Sequence, residues 1–319
     1  MLPRSPISFE QFMAQALHDP ERGYYARQIS AVGRGGDFTT APMLSTAPAR
    51  AIAAWARRAM RETGCRHLIE IGPGEGALAA GVLKHLPWLL RRKTQLHLVE
   101  TSISLLKRQK ELLGNRATWH REMKDALAAC DGNAVIFSNE LVDAFPVRRF
   151  QKTPSGWQEI AVHFDQEKRA HESLFLPGDF PDSSGFSREF PIGQRIEVHD
   201  SYRKYLTDWL PLWKSGRMLT IDYGATKENL YHRQPLGSVR AYLLQHRLEG
   251  AAIYENVGRQ DLTADVNFTD LMNWSRSAVS HQSLTNLREF LTNYTSHADR
   301  ELTDELGAGS AFLVLEEQK

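Results

Sequence analysis

A glycine-rich turn between an apolar strand and a helix constrains the fold of this chain most. Gly72-Pro73-Gly74-Glu75-Gly76 follows the apolar stretch 67–71 and precedes residues 77–86, whose periodicity predicts a helix. The glycines Gly72, Gly74 and Gly76 let the backbone approach a ligand closely, as in the α/β sheets that bind nucleotides. A tight turn without any ligand gives the same pattern, so the turn alone leaves the function open.

Strands and helices continue to alternate after the turn. We expect strands at 95–100, 117–120 and 133–138, and a helix at 103–113. This alternation predicts an α/β fold, with a parallel sheet that carries helices on both faces. Residues 66–145 therefore form the nucleotide-binding half of the predicted fold.

The rest of the chain has a different character. Outside residues 66–145 the patterns predict helices at 8–18, 46–62, 196–213, 268–278 and 284–295, a hairpin of 147–153 with 157–164, an irregular segment at 165–194, strands at 217–224 and 311–315, and mostly loop at 225–267. With 319 residues, the chain is long enough for two average domains, or for one large α/β domain with an insertion.

Composition excludes several classes of protein. Lys and Arg number 39 against 38 Asp and Glu, a net charge of +1, so we expect no nucleic-acid partner. No apolar run approaches the roughly 20 residues that span a bilayer, so we expect no membrane contact. The two cysteines, Cys65 and Cys130, lie in different segments, which excludes a disulfide framework. The 12 histidines form no HxH or HxxxH pair, and we expect no bound metal.

Two acidic residues point to the ligand of the glycine turn. Glu70 lies two positions before the first glycine, and Glu100 ends the next strand, where a ribose-binding carboxylate must sit. The spacing is G-x-G-x-G, whereas dinucleotide sites have G-x-G-x-x-G. S-adenosylmethionine (SAM) carries no pyrophosphate, but it has a sulfonium, an ammonium group and a ribose diol. Glu70 suits the positive end and Glu100 suits the diol, which favours SAM over NAD as the cofactor.

The polar stretch 139–146 follows the fourth predicted strand, and ligands of such sheets bind beyond strand ends. If Asn139 begins a short helix, Glu140 and Asp143 share one face of it. Two carboxylates could hold a guanidinium group through paired hydrogen bonds. The alternative is that these acids cap the helix or orient loops.

Stretches along nearly the whole chain carry a recognisable order of motifs. They are Ile7-Ser8-Phe9, Asp19-Pro20-Glu21-Arg22-Gly23-Tyr24-Tyr25, Gly36-Asp37-Phe38-Thr39-Thr40-Ala41-Pro42, residues 70–76, His97-Leu98-Val99-Glu100, residues 139–147, Phe150-Gln151-Lys152 with Gly156-Trp157, Ile221-Asp222-Tyr223-Gly224, Gly237-Ser238-Val239-Arg240-Ala241-Tyr242, and residues 261–268. In this order they resemble the MidA / NDUFAF7-type (DUF185) family of SAM-dependent methyltransferases, whose mitochondrial member is a protein arginine methyltransferase.

The resemblance implies a class I, Rossmann-like methyltransferase fold with a seven-stranded sheet and a reversed last strand. It also implies three segments: N-terminal helices and a cofactor-covering loop at 1–65, a methyltransferase core at 66–224 with a hairpin and loop insertion at about 147–195, and a substrate-facing insertion, helices and the final strand at 225–319.

The same resemblance suggests site residues. The cofactor contacts expected from it are Asp37, Thr39, Thr40 and Asn139, in addition to the glycine turn, Glu70 and Glu100. Phe38 and Tyr223 are expected to contact the substrate. The catalytic carboxylates are expected to be Glu140, Asp143 and Asp222.

We therefore expect a SAM-dependent methyltransferase that methylates arginine in a protein substrate by in-line transfer. Three alternatives stay open: a small-molecule acceptor, another protein side chain, or a SAM-binding assembly factor with little catalysis. The oligomeric state is not defined by the sequence, and a homodimer is compatible with it. The first residues show no apolar leader and no Arg- and Ser-rich amphipathic stretch, so we expect a cytoplasmic location.

Overall fold

The structure is a computed structural model that describes residues 2–27, 46–295 and 308–319. The chain folds into two compact units, each assembled from separate stretches of sequence. The first unit comprises Met1–Phe38, Val142–Tyr205 and Gly224–Leu271, and the second comprises Thr39–Leu141, Leu206–Tyr223 and Met272–Lys319. The division into segments 1–65, 66–224 and 225–319 stays a prediction. Among the described residues, no helix is both long and apolar enough to cross a membrane.

Helices and strands alternate through much of the chain. The α-helices, in chain order, are α1 Phe9–His18, α2 Tyr24–Arg27, α3 Ala47–Thr63, α4 Ala77–His85, α5 Trp88–Lys93, α6 Ile103–Leu113, α7 Met123–Ala128, α8 Asp200–Trp209, α9 Lys227–Arg233, α10 Phe268–Ser275 and α11 Leu287–Tyr294. The strands are β1 Ile7–Ser8, β2 His67–Ile71, β3 Gln95–Val99, β4 Ala117–His120, β5 Ala134–Asn139, β6 Arg148–Thr153, β7 Gly156–Phe164, β8 Ala170–Phe175, β9 Arg195–Val198, β10 Arg217–Ala225, β11 Arg240–Leu243, β12 His246–Leu248, β13 Asp261–Thr263, β14 Val266–Asn267, β15 His281–Asn286 and β16 Phe312–Gln318.

A sheet with a path of seven strands forms the centre of the second unit, and the two-residue strand β14 pairs with the end of β10 as an eighth strand. The strand order is β15-β16-β10-β5-β2-β3-β4. Strands β4, β3, β2, β5 and β10 run parallel, while β16 lies antiparallel between β10 and β15. This is the expected class I methyltransferase sheet with its reversed last strand, so the predicted fold class is confirmed. The carboxyl ends of the parallel strands meet at one edge, where ligands of such sheets bind.

Helix α3 packs onto this sheet through small residues and one large anchor. Its residues Ile52, Trp55 and Ala59 are fully buried in a core that includes residues of the sheet, α4 and α11. The Trp55 indole donates a hydrogen bond to Glu316 Oε2 at 2.9 Å, which satisfies the polar atom of a buried ring. A Cβ on Gly81 of α4 would lie 2.8 Å from the Cβ of Ala49 of α3, so α3 and α4 pack against each other where their side chains are smallest.

The first unit is built on antiparallel pairing. One sheet has the order β1-β7-β6-β9 with β8 added to β7, and a small sheet has the order β12-β11-β13. Helix α1 begins with a capping box, in which the side chains of Ser8 and Gln11 each accept a hydrogen bond from the other's backbone N–H. Its buried face packs Phe9 and Phe12 against Tyr254, with ring centroids 6.3 and 5.3 Å apart.

Several expected elements differ from the structure. The segment 225–267 was expected to be mostly loop, but it contains α9 and the strands β11 to β14. The segment 165–194 was expected to be irregular but contains β8, the expected helix at 196–213 begins as β9, and the expected helix at 284–295 begins as β15. Each of these short strands forms by pairing with β7, β6 or β16. Strand β8 pairs with β7 just before it, whereas the partners of β9 and β15 are distant in sequence, so the local sequence does not show them; these hydrogen bonds override local propensity.

A row of three histidines crosses neighbouring strands of the second unit. His67 Nδ1 lies 2.9 Å from His97 Nε2, and His97 Nδ1 lies 2.9 Å from His120 Nε2. His97 is 3% exposed, and burial, followed by the nearby His120 and His67, lowers its pKa to about 4. Burial also lowers the pKa of His67 and His120. The row is therefore neutral in the folded protein at neutral pH.

This row makes stability depend on pH. The unfolded chain protonates His97 below about pH 6.5, whereas the folded chain does so only near pH 4. The stabilisation that comes from burying His97 in its neutral form is complete above the pKa of His97 in the unfolded chain, and it is lost as the pH falls towards 4. Between pH 7 and pH 5, we expect wild type to lose about 2 kcal/mol more unfolding free energy than His97→Gln, measured by urea denaturation. The exposed His281→Gln is the control, and equal losses in wild type and His97→Gln would contradict the prediction.

Candidate functional site

The glycine turn leaves β2 at the carboxyl edge of the second unit's sheet. Gly72 and Gly74 have φ of 65° and 55°, in the left-handed region that favours glycine. A Cβ on Gly72 would lie 2.6 Å from Leu141 Cδ1, so a larger residue would disturb the segment after β5. A Cβ on Gly74 would meet no described atom within 4 Å. As far as the described residues are concerned, the backbone at Gly74 therefore borders open space that a ligand can enter.

Glu100 lies directly after β3, at the same edge, and is held by hydrogen bonds. Its Oε1 accepts from the backbone N–H of Ser102 at 2.7 Å, and its Oε2 accepts from Gln109 Nε2 at 3.2 Å. Burial raises the pKa of Glu100, and these hydrogen bonds oppose the shift. Each carboxylate oxygen has two acceptor positions, so the group can still accept hydrogen bonds from a diol.

Gln109 links this acid to the glycine turn. Its Nε2 also donates to the Gly74 carbonyl at 2.6 Å, and its Oε1 accepts from the indole N–H of Trp119 at 3.1 Å. A carboxylate and a carbonyl only accept, and an indole N–H only donates, so a single orientation of the amide satisfies all three. The side chain is fully buried. Gln109 therefore fixes the turn and the acid in one geometry.

Glu70 faces the start of helix α4. It is 2% exposed, and its carboxylate accepts a hydrogen bond from the backbone N–H of Ala79, in the first turn of α4. Its Oε2 has no hydrogen-bond partner among the described residues. Burial raises the pKa of Glu70 to about 8. The arrangement ties the strand before the glycine turn to the helix after it, and Oε2 is a buried oxygen at which a cationic ligand would favour the ionised form of Glu70.

Strand β5 ends at Asn139, bends and turns follow within residues 140–145, and the helix that Asn139 was considered to begin does not form. Asn139 is the last residue of β5 and its Nδ2 donates to Glu140 Oε1 at 3.0 Å. Glu140 has φ of 51°, and its N–H donates to the Ile221 carbonyl in β10 at 2.9 Å. These bonds continue the pairing of β5 with β10. The sheet therefore prevails over the helix that local capping signals suggested.

Asp222, in β10, holds the segment after β5 through hydrogen bonds. Its side chain is fully buried, Oδ2 accepts from the N–H of Leu141 at 3.2 Å, and Oδ1 accepts from the N–H of Tyr223 at 2.8 Å. The carboxylate thus binds backbone groups on both sides of the strand end. Asp222 holds the backbone that carries Glu140.

Asp143 does not share a helical face with Glu140, because residues 141–146 form bends and turns. It belongs to the first unit, where Oδ2 accepts from Thr263 Oγ1 at 2.7 Å and its carbonyl accepts from the N–H of Ala264 at 3.2 Å. Burial raises the pKa of Asp143. Its contacts join the segment after β5 to β13.

Other expected site residues have different outcomes. Tyr223 lies on β10 opposite Phe312 of β16, and the two ring centroids are 3.9 Å apart. Asp37, Phe38, Thr39 and Thr40 lie outside the described residues. Their expected contacts stay predictions.

Sequence reasoning missed the role of Gln109. Its signal was nevertheless present, since Gln109 interrupts the buried apolar stripe of α6 between Leu105 and Leu113. A polar residue on the buried stripe of an amphipathic helix needs hydrogen-bond partners, and those partners mark a site.

Comparisons with known proteins agree with this geometry. The model of the family described as "Putative S-adenosyl-L-methionine-dependent methyltransferase" matches residues 51–285. The match covers most of the chain, including the strands at the carboxyl edge. This chain belongs to that family.

Relatives and solved structures cover nearly the whole chain. The protein arginine methyltransferase NDUFAF7, mitochondrial, of Mus musculus is 28% identical over 90% of this chain and 70% of its own length. The homolog from Caenorhabditis elegans is also 28% identical, over 90% and 72%. The crystal structure of a COG1565 superfamily member from Burkholderia thailandensis, bound to S-adenosylhomocysteine, has a TM-score of 0.83 and 25% identity over 98% of this chain and 88% of its own.

The cofactor is therefore SAM, as the sequence predicted, and not NAD. The residues present fit it. The open space at Gly74, the remaining acceptor capacity of Glu100 and the buried Oε2 of Glu70 suit a ligand with a ribose diol and a positive charge.

The same comparison corrects the expected location. The cytoplasmic expectation was based on the composition of the first few residues, whereas the curated relatives named above are mitochondrial proteins. The expectation is wrong by this comparison, because local composition at the start of a sequence is a weak guide to location.

Removal of the charge at Glu100 tests the cofactor site. A hydrogen bond to a charged group contributes about 1.5–3 kcal/mol, so Glu100→Gln should weaken S-adenosylhomocysteine binding about 10- to 100-fold in titration calorimetry. Glu111→Gln, at an exposed position of the same helix as Gln109, should bind as wild type does. Unchanged affinity in Glu100→Gln, with the fold intact, would exclude Glu100 from the cofactor site.

Proposed function

We propose that this methyltransferase transfers the methyl group of SAM to an arginine side chain of a protein, and that Glu140 holds the guanidinium group. The relatives from Mus musculus and Caenorhabditis elegans are named protein arginine methyltransferases. The observation that carries the proposal is the position of Glu140, a partly buried carboxylate at the carboxyl end of β5. This is the edge at which the glycine turn and Glu100 also lie.

A carboxylate is a suitable partner for an arginine side chain that accepts a methyl group. An arginine side chain is protonated at neutral pH and is a poor nucleophile. A carboxylate that accepts hydrogen bonds from the guanidinium concentrates its positive charge away from the attacking nitrogen. SAM, when bound, supplies a methyl group activated by the sulfonium. The protein's own contribution is to align the acceptor, which can supply about 7–11 kcal/mol of the barrier reduction.

The surrounding contacts support a fixed position for Glu140. The Asn139 amide donates to its Oε1, and its own N–H is bonded to β10. Asp222 holds Leu141, the next residue, through the backbone. We therefore assign Asp222 a positioning role rather than direct contact with the acceptor. Asp143 has its hydroxyl partner, Thr263, within the first unit, and we assign it the same kind of role there.

Glu140→Gln tests this assignment because it keeps the shape and removes the charge. We expect turnover of an arginine-containing protein or peptide to fall about 100-fold or more, by analogy with the loss of one preorganised electrostatic contact. S-adenosylhomocysteine affinity should stay within about twofold of wild type, since the proposed contact is with the acceptor. Glu122→Gln, an exposed residue before α7, is the matched control. Full turnover in Glu140→Gln with normal cofactor binding would show that the carboxylate has no such role.

The acceptor class is tested by product analysis. Labelled SAM should yield methylarginine in a hydrolysate of the acceptor, and replacement of arginine by lysine should abolish incorporation. Methyl groups on another side chain would support the alternative acceptor. Cofactor binding without any transfer would support an assembly factor with little catalysis.

A further inference from the structure

An aromatic cavity lies in the first unit. Its volume is about 410 Å³. The residues that line it are Trp157, Phe180, Pro181, Asp182, Ser183 and Phe186. Among these described residues Asp182 is the charged one, so the cavity combines aromatic walls with a carboxylate.

The rings meet at nearly right angles. Phe186 packs edge-on against Phe180, with centroids 5.4 Å apart at 78°, and against Trp157, with centroids 5.7 Å apart at 79°. Phe180 is 48% exposed, although a large aromatic ring is usually more buried than this. The three rings therefore line an open pocket at the surface, and aromatic ring faces attract cationic groups by cation–π interaction.

Cations of the protein itself already contact this aromatic cluster. Lys152 Nζ lies 5.6 Å from the ring centroid of Trp157, Arg188 Cζ lies 5.6 Å from that of Phe190, and Arg148 Cζ lies 5.3 Å from that of Phe150. Phe190 contacts Trp157, and Phe150 contacts Phe186. The ring faces of the cluster therefore attract cations. The Lys152 ammonium is the group within the chain that would compete for Trp157.

The wall that carries Asp182 is held in place by a buried acid. Asp270, in the first turn of α10, accepts from Ser183 Oγ at 2.6 Å and from the N–H of Ser184 at 2.7 Å. Gly185 N–H donates back to Ser183 Oγ at 3.1 Å. These bonds fix the turn between Asp182 and Phe186, so the cavity is preformed and binding need not order it.

We propose that this cavity binds a cationic side chain, arginine above all, of the protein substrate. The inference rests on the proposed function for the identity of the substrate, but its chemistry is independent of methyl transfer. A planar guanidinium stacks on aromatic faces and pairs with a carboxylate, which matches the ring walls and Asp182. A protein substrate would therefore need a basic residue that can enter the cavity.

Direct binding tests the cavity without turnover. A short labelled peptide with one arginine is compared with the same peptide carrying citrulline, a neutral group of the same shape, by fluorescence polarisation with the full chain and S-adenosylhomocysteine present. Phe180→Ala should weaken binding of the arginine peptide about 3- to 30-fold, as expected for loss of a cation–π contact. Asp182→Asn should weaken it about threefold, because the pair is exposed. Citrulline-peptide binding should change little.

Matched controls lie close by in sequence. Leu176→Ala removes an apolar side chain that is 74% exposed, and Glu167→Gln removes an exposed carboxylate that pairs with Arg169; neither residue lines the cavity. Both should bind the arginine peptide as wild type does. Lys152→Met should strengthen binding if the ammonium competes for Trp157. Equal effects of the cavity variants and the controls, or equal losses for the arginine and citrulline peptides, would overturn the proposal.

The two proposals are separated by measuring Phe180→Ala in both the wild-type and the Glu140→Gln backgrounds. The loss of affinity should be the same in both, because the cavity does not require Glu140. If turnover or methylarginine is absent but this loss persists, the proposed function fails and the cavity stands. If turnover depends on Glu140 but Phe180→Ala binds as wild type does, the cavity proposal fails alone.

Discussion

The hydrogen bonds of the Gln109 side chain are the interaction on which the cofactor edge depends. A fully buried amide connects the carbonyl of the glycine turn, the carboxylate after β3 and the indole of Trp119. Loss of one partner would leave a buried polar group unsatisfied, which costs about 1–3 kcal/mol. The three parts must therefore form together. The edge is rigid because one side chain makes bonds to two loops that are far apart in sequence.

Buried carboxylates perform a similar task elsewhere in the molecule. Glu70 accepts from the start of α4, Asp222 accepts from backbone on both sides of a strand end, and Asp270 accepts from the turn after Ser183. A carboxylate suits these places because it only accepts, and exposed backbone N–H groups only donate. An acid near a strand end can therefore hold backbone groups instead of taking part in catalysis. The sequence expectation treated Asp222 and Asp143 as catalytic because their type and position do not separate these two roles.

The sequence predicted most accurately what local residues decide. The glycine turn, helix α1 and the apolar strands of the parallel sheet are all visible within a few residues. A helix from Asn139 was one interpretation of segment 139–146, and it does not form because Ile221 and Asp222, which bind the start of the segment, lie about eighty residues further along. Strands β9 and β15 were missed for the same reason, since β6 and β16 form them. The cofactor followed from Glu70 and Glu100 with the glycine spacing, whereas Gln109 required knowledge of which face of α6 is buried.

The left-handed backbone of Glu140 has a consequence for how this protein could change over generations. A residue with a side chain in this conformation costs about 1–2 kcal/mol relative to the right-handed region, and glycine avoids most of that cost. Selection for thermal resistance alone would thus favour glycine at position 140, and it would remove the carboxylate. If Glu140 holds the acceptor as proposed, persistence of glutamate there means that selection on activity outweighs selection on stability. Lineages in which the need for this activity has lapsed should be recognisable by a small or flexible residue at this one position.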